Sequence, residues 1–249
     1  EPTFYDGKIL YDTLQDISKS MYEHVSSYQN ENVKFQEYIE LWIHEIKLPI
    51  SSLQLMCHND NNLKYLHQLK KVNDYIENVL YYSRSRTAEK DYIIKPVSLR
   101  KVFTETAIRY REELQKRKIR LHAENLDVKV ITDNKWLLYI LGQLMSNSIK
   151  YMDKNKNPEI KIYAEDHIDK IILHFCDNGV GIHESDLPYV FEKSFTGHNG
   201  HTYTKSTGMG LYIVKKLCDK LGHNILINSK VGQYTDVLII FGKHDFNKF

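Results

Sequence analysis

The sequence predicts two units of different architecture: a helical hairpin, then an α+β sandwich with helices on one face of a mixed sheet. Three observations predict it. Between Tyr11 and Ser85 the chain has almost no residue that breaks helices; Pro49 is the exception, and no glycine separates Gly7 from Gly142, which favours long helices. Apolar residues in that stretch recur at spacings of three and four. From about Pro96 onward, strand-like apolar segments alternate with helical ones, and glycine becomes frequent after Gly179.

The first helix is expected over about Gln29 to Met56, where Phe35, Tyr38, Ile39, Trp42, Ile46, Ile50 and Leu53 form one apolar stripe. A second stripe runs through Leu63, Leu66, Leu69, Val72, Ile76, Val79 and Leu80, and the polar run His58 to Asn62 reads as the turn between them. Two such helices leave an apolar face open, and a second copy closing a four-helix bundle is the economical cover. Residues 1–30 carry weaker periodicity through Leu14, Ile17, Met21 and Val25, and read as a helix running into the hairpin.

In the second half, helices are expected at Val102 to Arg117, Asn134 to Met152 and Leu211 to Leu221. Strands are expected at Ile119 to Ala123, Val128 to Ile131, Glu159 to Glu165, Lys170 to Cys176, Asn224 to Ser229 and Thr235 to Phe241. A layer of helices on one side of a mixed sheet accommodates that order.

Composition removes several function classes. Lys+Arg is 34 against 32 for Asp+Glu, a formal charge of +2, so no concentrated basic face argues for nucleic acid. The three cysteines, Cys57, Cys176 and Cys218, are far apart with no C-x-x-C pair, and read as reduced thiols rather than a disulfide or zinc framework. The longest apolar run, Val237 to Phe241, is a strand rather than a membrane span. The chain begins with Glu1 rather than Met, so this says little about any membrane segment upstream.

Four motifs carry chemistry. Asp177-Asn178-Gly179-Val180-Gly181 follows an apolar strand. A carboxylate there can accept from an exocyclic amine such as that of adenine, and the glycines admit a planar ring close to the backbone; by itself the motif also reads as a tight turn. Ser206-Thr207-Gly208-Met209-Gly210-Leu211 leads directly into a helix, where free N–H groups and the helix dipole suit a phosphate. Its spacing is neither that of a P-loop nor that of a dinucleotide fingerprint, and alone it is equally a flexible lead-in. Gln143, Asn147 and Tyr151 share one helix face, with Lys150 beside them. An asparagine there can give an oxygen to hydrated Mg²⁺ and a lysine can reach a phosphate, or the face is a solvated edge. Finally, Trp42-Ile43-His44-Glu45-Ile46-Lys47-Leu48-Pro49 places a histidine mid-helix with a carboxylate beside it.

The order of these motifs, with gaps of about thirty residues between the last three, resembles the ATP-binding domain shared by histidine kinases, the Hsp90 and MutL proteins and DNA gyrase. The resemblance covers about Pro96 to Phe241. It implies ATP as ligand, with Asn147 in the N box holding Mg²⁺, and Lys150 and Tyr151 beside it. It implies that Asp177 reads adenine in the first glycine box with Gly179 and Gly181. Phe191 and Phe195 match the F box, Thr196 to Thr207 would be the lid, ending on Thr207 as an ATP contact, and Gly208, Met209, Gly210 and Leu211 form the second glycine box. The helix around His44 is similar to the H box of sensor histidine kinases, which implies His44 as phospho-acceptor and Glu45 as its base. Trp42 and the lid residues resemble in particular the bacterial intramembrane-sensing kinases that pair with peptide-transporting ABC exporters. The implied organisation is a linker helix over residues 1–30, a dimerisation and phosphotransfer domain over 31–92, and an ATP-binding domain over 93–249. The implied partners are a second copy, a response regulator receiver domain and an ABC transporter permease, and the implied setting is the cytoplasmic side of a bacterial membrane anchor.

The chain departs from that pattern in places. Leu48 stands where a threonine or asparagine often follows the histidine by four, which implies weak phosphatase activity. Tyr234 precedes Thr235 where glycine is frequent, and His201 stands where a lid arginine is common, leaving Lys193 and Lys205 as phosphate contacts. Two rivals remain on the residues: an ATP-driven clamp of the same superfamily, against which His44-Glu45 argues, and a nucleotide-binding dimeric scaffold without transfer.

Overall fold

The computed structural model describes residues 5–60, 62–87, 92–153, 156–198 and 207–243. The chain divides into two compact units, Glu1–Ala88 and Glu89–Phe249.

The first unit is two helices. α1 spans Tyr5–Asn59 as one helix of 55 residues, with no break near residue 30, and continues through Pro49. That proline removes one intrahelical donor. α2 spans Leu63–Thr87, and Asn62 caps it by accepting from the Tyr65 N–H at 3.4 Å. The expected five-residue turn is therefore shorter, because α1 extends through His58 and Asn59.

The seam between the helices differs from the expected stripe. Among the described residues of α1, Ile43 and Ile50 are the buried ones, while Phe35, Tyr38, Trp42 and Leu53 are 59%, 54%, 49% and 47% exposed. Val72 and Val79 of α2 are likewise exposed. Most of the predicted stripe is thus a second apolar face, and the surface that meets α2 is offset from it. Polar residues on that surface hid it from an apolar count, because Glu40 pairs with Arg84 and Lys47 with Glu77 across the seam.

The second unit is a five-stranded sheet ordered β2-β4-β5-β7-β6, with a separate two-stranded sheet of β1 and β3. The strands are β1 Lys95–Ser98, β2 Arg120–Glu124, β3 Lys129–Thr132, β4 Glu159–Asp166, β5 Lys170–Asp177, β6 Asn224–Lys230 and β7 Tyr234–Gly242. β2 runs parallel to β4 and the other pairs of the large sheet are antiparallel. The helices are α3 Leu99–Arg109, α4 Arg111–Lys116, α5 Asn134–Lys150 and α6 Gly210–Lys220.

Alternation along the strands decides the core. Ile160, Ile162, Leu173, Phe175, Ile239 and Phe241 are almost fully buried, and register puts them on one face. α5 supplies the matching surface with Trp136, Leu137, Ile140, Leu141, Leu144 and Met145. Its start is fixed by Asp133, which accepts from Lys135 and Trp136 N–H at 2.8 and 3.1 Å and, through its other oxygen, from Ile93 N–H at 2.8 Å. Asp133→Ala removes this N-cap and leaves a buried donor unsatisfied. The expected loss is about 1–3 kcal/mol, read as a lower thermal midpoint.

Two features were not expected from sequence. β1 was not anticipated, and the helix expected over Val102 to Arg117 is two helices, because Tyr110 takes φ −102° and ψ 8° between them. The Tyr110 ring lies beside Gly142 of α5, about 3.8 Å from where a Cβ would stand.

His223 lies between α6 and β6, buried, with Nε2 2.8 Å from Thr132 Oγ1 and its ring edge-on to Phe241. Burial holds its pKa down at about 4. The unfolded chain therefore binds a proton that the folded one refuses between its ordinary value near 6.5 and about 4. Stability should fall across that window as pH drops, by about 3 kcal/mol in total. Comparing urea midpoints of wild type and His223→Gln at pH 7 and pH 4.5 isolates the effect, which should shrink in the variant. Burial also raises the Cys176 and Cys218 thiols to about 11 and about 12, so both are protonated at neutral pH.

Candidate functional site

β5 delivers Asp177 to the edge of the core, where it is buried. Its carboxylate accepts from Ser148 Oγ at 2.5 Å and from the Gly179 N–H at 3.0 Å. Burial raises its pKa, and the two donors oppose that rise without cancelling it. The carboxylate is thus oriented by two bonds and retains lone pairs for a further donor.

The turn after Asp177 is tight for a specific reason. A Cβ on Gly179 would stand 2.6 Å from the Tyr151 carbonyl oxygen and 2.8 Å from Asp177 Oδ1. Gly181 has φ +69°, and a Cβ there would stand 2.3 Å from the Lys230 carbonyl oxygen. The turn is also tied to the β6–β7 hairpin, since Gly232 N–H donates to the Val180 carbonyl at 2.8 Å and Ile182 N–H to Ser229 Oγ at 2.9 Å. Lys156 Nζ spans the two segments, donating to the carbonyls of Asn178 and Gly232.

The second glycine pair stands at the start of α6. Gly208 has φ +65° and packs on the backbone of Ser194 and Phe195, with a Cβ position 2.4 Å from the Ser194 carbonyl carbon. Gly210 opens α6, and a Cβ on it would stand 2.9 Å from Gln143 Oε1. Thr207 Oγ1 accepts from the Met209 N–H at 3.4 Å, and Leu211 is half-buried in the first turn.

One face of α5 joins the two pairs. Gln143 touches Gly210, and the Tyr151 carbonyl touches Gly179 and accepts from the Val180 N–H at 3.0 Å. Asn147 lies midway, half-buried, and no hydrogen bond to its carboxamide is found among the described residues. Residues 143 and 151 are separated by about 12 Å of helix. The face therefore has a carboxylate at one end and a helix N-terminus at the other. A bicyclic amine-bearing base fits the Asp177 end, and an anion fits the N–H groups at the start of α6. An unpaired amide oxygen between them suits a hydrated Mg²⁺, which takes few protein ligands.

The remaining predicted residues have the following contacts and exposures. Lys150 Nζ lies 5.1 Å from the Tyr151 ring centroid. Phe191 and Phe195 are half-buried, and the Phe195 ring lies 5.9 Å from that of Tyr189. Lys193 is exposed on the same segment. Lys205, His201 and most of the expected lid lie outside the described residues. His44 and Glu45 belong to the other unit. Both are exposed on α1, and no hydrogen bond between them is found among the described residues.

Sequence reasoning missed Ser148, the donor that orients Asp177. The available signal was a second polar residue next to Asn147 on an otherwise apolar helix. It also missed Lys156 and Ser229, which no motif marks.

Residues 132–244 match the family described as histidine kinase-, DNA gyrase B-, and HSP90-like ATPase. The chain is 31% identical over 209 residues to the sensor histidine kinase YxdK of Bacillus subtilis, covering 82% of this chain and 64% of that protein. It is 29% identical over 233 residues to the sensor kinase GraS of Staphylococcus aureus, covering 89% of this chain and 66% of that one. The chain thus spans slightly under two thirds of the length of these relatives. Among solved structures, the catalytic domain of histidine kinase ThkA is similar with a TM-score of 0.53 at 25% identity, covering 61% of this chain and 98% of that one. Full-length ShkA in complex with AMPPNP shares the fold, with a TM-score of 0.63 at 18% identity, covering 82% of this chain and 45% of that one. Residues 132–244 thus match the ATPase family shared by histidine kinases, DNA gyrase B and HSP90, and over most of its length the chain is similar to sensor histidine kinases.

Proposed function

We propose that this chain is the kinase portion of a two-component sensor, which transfers the γ-phosphoryl group of ATP to His44 and then passes it to an aspartate of a receiver domain. The observation that carries the reading is an exposed histidine beside a carboxylate on one unit, with a buried, hydrogen-bonded Asp177 and the glycine-led start of α6 joined by one face of α5 on the other.

Each residue then has a role. The ionised Asp177 carboxylate accepts from the adenine amine, held in place by Ser148 and the Gly179 N–H. Gly179 and Gly181 keep side chains away from the ring. The start of α6, with Thr207, Gly208, Met209, Gly210 and Leu211, receives the phosphates, and Lys150, Lys193 and Lys205 are the cations within the motifs. Asn147 would hold Mg²⁺, which would neutralise charge on the transferring phosphoryl group. A ring-nitrogen lone pair of His44 forms the new N–P bond as the bond from γ-phosphorus to the ADP oxygen breaks, and Glu45 takes the proton from the other ring nitrogen.

The exposed second face of the hairpin, with Phe35, Tyr38, Trp42, Leu53, Val72 and Val79, suits a second copy in a four-helix bundle. Among the described residues no helix is long and apolar enough to cross a membrane. Attachment to a membrane and pairing with an ABC transporter permease rest on the likeness to intramembrane-sensing kinases. Leu48, 60% exposed one turn after His44, offers no hydrogen bond to a hydrolytic water. With ADP present, dephosphorylation of a phosphorylated cognate receiver should therefore be slow; rapid loss of the phosphate would contradict this role for Leu48.

The test of the reading is incubation with γ-labelled ATP and Mg²⁺. The expected label survives alkali and is lost in acid, as a phosphohistidine is. Bound nucleotide with no label would favour a dimeric scaffold instead.

A further inference from the structure

The α1–α2 seam carries a charge pattern that the phosphoryl chemistry does not use. The α1 residues Gln36, Glu40, Ile43, Lys47, Ile50 and Gln54 are buried or half-buried and spaced alternately by four and three. Ile43 and Ile50 occupy one heptad position, and Glu40 and Lys47 occupy the other. Each charged residue has a partner on α2. Arg84 donates to both oxygens of Glu40, at 2.8 and 3.3 Å, and Lys47 donates to Glu77. The two pairs lie one heptad apart on both helices, they have opposite polarity, and His44 sits between Glu40 and Lys47.

Apolar packing distinguishes this register from one shifted by a heptad only in part, because the shift seats one isoleucine in the other's place and leaves Gln36 or Cys57 in the remaining seat. The charges do distinguish them. A slip in one direction sets Glu40 against Glu77 and Lys47 against Lys70; a slip in the other sets Lys47 against Arg84. Every slipped pairing joins like charges, which repel. Polar groups at seam positions are known to specify register in packed helices. The pairs keep side-chain exposures of 34% and 22%, and of 35% and 22%. At that exposure their contribution to total stability is small, whereas their effect on the choice between registers is direct.

We propose that Glu40, Lys47, Glu77 and Arg84 lock the axial register of the hairpin and so hold His44 at one height against α2. They act as positioning residues. The consequence for catalysis rests on the kinase reading, whereas the register can be measured without it.

A one-heptad slip moves α1 by about 10 Å along the seam. Spin labels on Glu37→Cys and Lys71→Cys, with Cys57, Cys176 and Cys218 replaced by Ser and the sample diluted with unlabelled chain, report it within one chain. The sites are offset along the axis, so a slip changes their separation by nearly its full length. The wild-type background should give one distance. Glu40→Arg, which faces Arg84 in the native register and Glu77 in the slipped one, should add a second population displaced by about 10 Å. Exchanging all four charges (Glu40→Arg, Lys47→Glu, Glu77→Lys, Arg84→Glu) should restore the single distance. Retention of one wild-type distance in Glu40→Arg, or a four-charge exchange that stays split, would overturn the register lock.

Alongside, Glu40→Arg should label His44 at least about fivefold more slowly than wild type, with the four-charge exchange recovering the rate and ADP affinity unchanged in both. A slipped distance with an unchanged rate would overturn the positioning role. Absence of label in wild type would count against the kinase reading, and the distances would still decide the register.

Discussion

Asp177→Asn is expected to weaken ADP and ATP binding by about 30-fold to 150-fold, the worth of one charge-assisted hydrogen bond in a buried site, about 2–3 kcal/mol. The substitution keeps the volume but offers an amide where Ser148 and the Gly179 N–H both donate, so one donor loses its acceptor. Affinity measured by calorimetry should fall equally for ATP, ADP and adenosine, because the proposed contact is to the base rather than to the phosphates. The wild-type protein should show the same contact through pH. Burial raises the Asp177 pKa, and an amine donor favours the ionised form, so binding lowers that pKa again. Nucleotide affinity should therefore decline as pH falls through the raised value, with a proton released on binding in that window. For the ligand-free protein the sign is reversed, because the raised pKa makes the ionised carboxylate the costly form, and its contribution to stability is lost as pH rises through the same value. Asp177→Asn should remove both dependences. An unchanged adenosine affinity in the variant would remove Asp177 from the base site.

Gly181→Ala is the second large effect. At φ +69° an L-residue is strained by roughly 1–2 kcal/mol, and here the new Cβ meets the Lys230 carbonyl oxygen at 2.3 Å. That neighbour is backbone in the hairpin already bonded through Gly232 to Val180, so it has little freedom to retreat. The expected cost is about 3 kcal/mol or more, a fall of roughly 6–12 °C in the midpoint of the second unit. Gly222→Ala is the natural control. Its φ of +72° carries the same strain, but nothing lies within 4 Å of its Cβ. The difference between the two midpoints reads the close approach alone. Equal midpoints would mean the hairpin yields.

The parts of the fold that were legible in the sequence are those where one physical signal dominates. α5 combines an unbroken apolar face with an Asp133 cap, and the strands around Phe175 and Ile239 alternate cleanly, so their boundaries shift by only a residue or two. The glycine motifs were legible because both mark close backbone approaches. The hairpin seam was not. α1 carries two faces with apolar character, and the one meeting α2 interleaves isoleucine with Glu40 and Lys47, whose partners lie more than twenty residues away on α2. The break at Tyr110 was hidden because no proline or glycine marks it; a ring packed on another helix makes it. Ser148 and Lys156 act through tertiary contacts to Asp177 and to the Asn178 and Gly232 carbonyls, which no local pattern encodes.

The central claim is that a phosphoryl group passes from a nucleotide in the second unit to His44 in the first. Its most direct measurement is γ-labelled ATP with Mg²⁺ on three proteins side by side: wild type, His44→Gln and Asn147→Ala, each also titrated with ADP. Acid-labile label is expected on wild type alone, with His44→Gln binding ADP as wild type does and Asn147→Ala losing the Mg²⁺ dependence of binding. Label that persists in His44→Gln would contradict it, because another residue would then be the acceptor.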